Sequence, residues 1–139
     1  MIHTNTNRMK DKDIKKLTAA EEQIMQVLWQ LQKAFVKEII AELPEPKPAY
    51  NTVSTIVRIL EGKGFAGHEA FGKSHRYFPL ITKEEYSDFF MKSFISSYFS
   101  GSFEKMVSFF VKKNNVQPND MESLLKHLEE ARKNKEGKK

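Results

Sequence analysis

One run of residues, Ala49-Tyr-Asn-Thr-Val-Ser-Thr-Ile-Val-Arg-Ile-Leu-Glu-Gly-Lys-Gly-Phe65, narrows the possible folds of this chain more than any other. Val53, Ile56, Val57 and Leu60 recur at the i, i+3, i+4, i+7 spacing of an amphipathic helix with one buried face. The opposite face carries Asn51, Thr52, Ser54, Thr55 and Arg58, with Tyr50 at its start. Solvated helix faces usually interleave Glu and Lys. This face is nearly free of acid and offers hydroxyls, an amide and a guanidinium, the groups that hydrogen-bond phosphates and base edges. It fits a recognition helix for the DNA major groove. Taken alone, it fits a partnerless Thr/Ser-rich surface helix about equally well, because Thr and Ser are mediocre but not rare helix formers.

The flanking segments favour the first reading. Thr18-Ala-Ala-Glu21 is a capping box, and Ile24, Val27, Leu28 and Leu31 form one stripe, so a first helix is expected over Thr18 to Gln32, with Trp29 beside the stripe. A second runs from Val36 to Leu43 on Val36, Ile39, Ile40 and Leu43, and Pro44-Glu-Pro-Lys-Pro48 ends it. Gly62 and Gly64 punctuate the end of the third, over residues 49–63. Two extended runs, 65–70 and 75–80, then flank a turn containing Gly72, which reads as a β-hairpin. Three short helices followed by a hairpin is the winged-helix arrangement. The hairpin tip is small and basic, and Lys73, His75 and Arg76 are placed to lie along a phosphate backbone, where each cation would release counterions. Plain solubility at a loop tip is the competing reading for Lys73 and Arg76.

After Leu80 the composition changes. Thr82, Glu84 and Glu85 open a helix to about Tyr98, a second spans Ser102 to Lys113, and Pro118 starts a third carrying Met121, Leu124, Leu125 and Leu128. A segment of roughly 50 residues buries too small a fraction of its surface to fold independently. Its large apolar side chains therefore need a second surface: Phe89, Phe90, Phe94, Tyr98, Phe99, Phe103, Met106, Phe109, Phe110, Leu124, Leu125 and Leu128. A second copy of the chain in a two-fold interface supplies one; packing back onto the winged helix is the other solution. The expected architecture is mainly α with a small β-hairpin wing. Residues 1–16 are read as a disordered arm, 17–81 as a winged helix-turn-helix, 82–132 as a three-helix dimerisation region, and 133–139 as a disordered tail.

Other chemistries find no support. The chain has no cysteine, which excludes disulfides, thiolate catalysis and thiolate zinc sites; a reducing cytoplasm is compatible with that. His3, His68, His75 and His127 lack metal-ligand spacing. No phosphate loop, paired-carboxylate constellation or nucleophile motif is present, so an enzyme is the poor reading and no cofactor is called for. No run of about 18 apolar residues is available to insert in a membrane, and the polar start is not a secretory signal. The net charge of +5 only nudges the expectation toward nucleic acid.

Together, Leu17-Thr-Ala-Ala-Glu21 with Ile24-Met-Gln-Val-Leu-Trp29, the run Tyr50-Asn-Thr-Val-Ser-Thr55, Arg58, the exit Lys63-Gly-Phe65 and Tyr77-Phe-Pro-Leu80 resemble the penicillinase-repressor family of bacterial regulators, the BlaI/MecI/CopY group. The resemblance spans about Leu17 to Glu130. It implies a cytoplasmic homodimeric repressor that reads an inverted-repeat operator and controls a resistance or stress operon. Thr52, Thr55 and Arg58 match the family's recognition-helix positions, while Asn51 and Ser54 fall at variable ones. The copper-responsive branch carries a Cys-rich C-terminal motif that this chain lacks. In the β-lactam branch a membrane sensor protease triggers cleavage at an Asn-Phe bond; the aligned pair here is Phe109-Phe110. A winged helix used only for protein docking is the rival function, separable by the salt dependence of duplex binding.

Overall fold

The computed structural model describes residues 14–137. The elements run α1 (Ala19–Leu31), β1 (Ala34–Phe35), α2 (Val36–Glu42), α3 (Tyr50–Gly62), β2 (Ala66–Phe71), β3 (Ser74–Pro79), α4 (Lys83–Phe99), α5 (Phe103–Asn114) and α6 (Pro118–Gly137). The chain divides between Lys92 and Ser93 into two compact units.

The first unit is a winged helix: three helices and a three-stranded antiparallel sheet of order β1-β3-β2. The capping box of α1 forms as its residues require. The Thr18 hydroxyl accepts from the Glu21 amide at 3.2 Å, and Glu21 Oε1 accepts from the Thr18 amide at 2.9 Å. A matching pair, Thr82 and Glu85, closes the first turn of α4. In the hairpin, β2 pairs with β3 in register from Ala66↔Pro79 to Phe71↔Ser74. Its two-residue turn places Gly72 at φ +62, where a side chain would be strained. The core gathers Ile24, Met25, Leu28 and Trp29 of α1, Val36 and Ile39 of α2, and Val53, Val57 and Leu60 of α3, with Phe65, Tyr77, Ile81 and Tyr86. Trp29, expected beside the stripe, is buried, and its indole nitrogen donates to the Ile81 carbonyl at 2.8 Å.

Several expectations are corrected. The arm expected over residues 1–16 ends earlier, because Ile14 is buried in the core; residues 1–13 lie outside the described residues. A third strand, β1, joins the hairpin through Ala34↔Tyr77 and Phe35↔Arg76. The unit boundary falls inside α4 rather than at 81/82. Tyr86 is the reason: its hydroxyl accepts from the Leu17 amide at 2.9 Å, and its ring packs against Trp29 and Phe65. The start of α4 thus completes the winged-helix core. The tail expected over 133–139 is helical to Gly137, since ion pairs of Arg132 with Glu129 and Glu136 support a helix that has no apolar stripe there.

In the second unit, from Ser93 on, no described side chain is buried. Phe94 packs on Tyr98 and Phe99, and Phe99 on Phe109. Phe103, Val107, Leu124 and Leu128 line an apolar groove of about 250 Å³ between α5 and α6. Among the described residues, no helix is long and apolar enough to cross a membrane.

Candidate nucleic-acid interface

The two faces of α3 separate cleanly. Val53, Val57 and Leu60 have no exposed surface, and Ile56 packs partly against the same core. Asn51, Thr52, Thr55 and Arg58 are exposed, Ser54 is half-buried, and Tyr50 is 52% exposed. The first turn holds no acid, and the Ala49 side chain caps nothing. The one acid on the helix, Glu61, is taken by the wing: His68 Nδ1 lies 2.7 Å from Glu61 Oε2. The helix therefore presents donors without a competing free carboxylate beside them, the arrangement that suits an anionic, acceptor-rich partner.

The wing differs from its sequence-based picture in one respect. Lys73 and His75 are exposed at and beside the tip as expected. His75 stacks on His68 at 4.0 Å between ring centres, a diagonal pair on one face of the hairpin. Arg76, expected on the phosphate backbone, is instead engaged within the sheet. It donates to Glu69 at 3.0 Å, and its guanidinium sits 4.7 Å from the centre of the Phe71 ring. Phe71 in turn meets Phe35 edge-on at 5.8 Å. Sequence spacing could not assign these partners, because they depend on the β2–β3 register, in which Glu69 faces Arg76.

One support of α3 was missed from sequence. Lys63, at the end of the helix, pairs with Glu21 of α1, with both carboxylate oxygens 2.9 Å from the ammonium. Burial alone would raise the Glu21 carboxyl, but hydrogen bonds from Thr18 and Lys63 outweigh it and hold the group below the usual carboxylate range. Tyr77, opposite His68, has its phenol pushed up by burial and by the nearby Glu61, with Arg58 opposing. Among the described residues no cluster of His, Asp or Glu could hold a metal ion.

The residues expected at a chain–chain interface separate into two groups. Phe89 packs against the winged-helix core, and Phe90 lies near Tyr86 with the Lys16 ammonium above its ring. The rest lie on the second unit. Phe94, Phe99 and Met106 are half-buried, while Tyr98, Phe103, Phe109, Phe110, Leu124, Leu125 and Leu128 are exposed.

Comparison with known proteins places the chain. The chain is 27% identical over 109 residues to the methicillin resistance regulatory protein MecI of Staphylococcus aureus (strain N315), covering 78% of this chain and 89% of that one. It is 26% identical over 125 residues to the penicillinase repressor of Bacillus licheniformis, covering 89% and 98%. A solution structure of the DNA-binding domain of the repressor BlaI aligns with a TM-score of 0.47 at 28% identity, covering 52% of this chain and 90% of that one. The family profile described as penicillinase repressor matches residues 17–130, and with that span the chain belongs to the penicillinase repressor family.

Proposed function

We propose that the chain is a non-enzymatic, homodimeric transcriptional repressor acting in the cytoplasm on an inverted-repeat operator, of the kind that controls a resistance or stress operon. Family membership supports the class. The observation that carries the reading is the exposed, acid-free side of α3 over an apolar stripe whose Val53, Val57 and Leu60 are fully buried. Asn51, Thr52, Ser54, Thr55 and Arg58 meet bases and phosphates, Tyr50 flanks them, and Lys73 and His75 lie along the backbone. A second copy covers the exposed apolar side chains from Ser93 on, none of which is fully buried within one chain. Two joined half-sites bind far more tightly than one, so loss of the dimer would release the operator. Control by a membrane sensor protease would meet Phe109 and Phe110 exposed on α5.

The test is selection of bound duplexes from a random pool, followed by titration of the selected duplex at rising salt. The expected outcome is a two-fold symmetric site, an affinity that falls steeply with salt, and a loss of about tenfold or more for Arg58→Ala. Binding with no duplex preference and no salt slope would reassign the winged helix to protein docking.

A further inference from the structure

The wing carries two histidines on the face that turns Tyr77 toward the core, and their rings lie against one another. His68 stands opposite Tyr77 and His75 opposite Ala70, so the imidazoles are diagonal cross-strand neighbours. Their centres are 4.0 Å apart and their planes differ by 10°. Both rings lean on the buried Tyr77, at 5.7 and 6.2 Å. His68 Nδ1 also lies 2.7 Å from Glu61 Oε2, which ties the stack to α3.

The groups that face this pair come from three elements. From α3 come Glu61, Arg58 and Tyr50, all of which act on the Tyr77 phenol between the strands. From α2 come Lys37 and Glu38, which border a cleft together with Tyr50 and His75, and Glu38 already accepts from the Phe35 amide. From the wing itself come Tyr77 and the exposed Lys73, while Glu69 and Arg76 pair with each other on the opposite face. Glu61 can hold His68 in either protonation state, as acceptor from a neutral ring or as partner of an imidazolium. The stack itself is less tolerant. One charged ring is offset by Glu61, whereas two put like charges face to face. At this separation, in water-like surroundings, that disfavours the arrangement about fivefold. Histidine is the side chain whose charge ordinarily changes between pH 5 and 8.

We propose that Glu61 and His68 are positioning residues that hold the wing on α3 through the His75 stack, and that acidification releases this hold by charging both rings. The proposal rests on the DNA-reading function above and adds proton control to it. Extra positive charge alone would strengthen binding to a phosphate polymer. A released wing does the opposite, because only the fraction of chains with the wing in place binds well.

The experiment has two arms, both on the full chain at pH 7.5 and 5.0, with Trp29 fluorescence verifying that each variant is folded at both. In the free chain, ring-to-ring NOEs between His68 and His75 are expected at pH 7.5 and should be lost at pH 5.0. By fluorescence anisotropy at constant salt, affinity for a selected duplex is expected to fall about two- to fivefold over the same interval. His68→Phe keeps an aromatic ring against His75 but takes no proton, and should abolish the fall. Glu61→Ala unfastens the wing at every pH and should flatten the profile at its weaker end, whereas a merely structural role would weaken binding and keep the fall. NOEs that persist at pH 5.0 would overturn the inference whether or not DNA binds. So would an affinity that holds level or rises on acidification, or a fall that survives in either variant. A chain that binds no duplex at any pH would remove the DNA reading, and the control of binding with it.

Discussion

Replacing Glu21 with alanine tests how α1 and α3 are held together. The Glu21 side chain accepts from the Thr18 amide and receives the Lys63 ammonium at both oxygens, while itself only 5% exposed. Loss of the reciprocal half of the capping box costs about 0.5–1 kcal/mol. Removing one partner of a fully buried ion pair costs about 3–5 kcal/mol, and an exposed pair is worth roughly 0–1. The Lys63 side chain is 26% exposed and can turn toward water, so a value between those two cases applies, about 1–2 kcal/mol. The expected loss for Glu21→Ala is therefore about 1.5–3 kcal/mol, large against the roughly 5–15 kcal/mol of a typical domain. Urea unfolding followed by the single tryptophan, Trp29, reads it directly, because that indole is buried against Ile81 in the same core. Protein concentration must be kept constant, since association shifts apparent stability. Glu21→Gln preserves the acceptor for Thr18 and should lose roughly half as much. A Glu21→Ala loss below about 0.5 kcal/mol would refute the reasoning, as would additive costs in the Glu21→Ala/Lys63→Met double variant.

Three further outcomes are expected. The folded-state Glu21 carboxyl lies below its unfolded value of about 4.3, so its stabilisation is complete above that pH and is lost as pH falls through the folded value. The stability gap between the unmodified chain and Glu21→Gln should accordingly close on acidification, and a gap that stays constant from pH 7 to 3 would contradict this. Tyr86→Phe keeps the ring contacts but leaves the buried Leu17 amide without its acceptor, costing about 1–2 kcal/mol by the same urea assay; an unchanged midpoint would show that water replaces the hydroxyl. Phe103→Glu puts a charge into the groove formed with Val107, Leu124 and Leu128, and sedimentation at micromolar concentration should find monomers that still unfold cooperatively through Trp29. Persistent dimers would move the interface elsewhere.

Local periodicity and capping chemistry were enough to determine that α1, α2 and α3 exist, which side of α3 is apolar, and where the hairpin turns. These features depend on residues a few positions apart, and Val53, Val57 and Leu60 are buried as their spacing requires. The tertiary structure alone decided matters that depend on distant partners. Ala34 and Phe35 are too short a run to show alternation and become a strand only because β3 lies beside them. Nothing local to Tyr86 shows that it belongs to the winged-helix core, because the Leu17 amide that meets its hydroxyl lies 69 positions away. Arg76 reads in the sequence as one more basic residue of the wing. The cross-strand register sets Glu69 opposite it, so the guanidinium is paired within the sheet and rests on Phe71, a partnership that no local pattern of residues specifies.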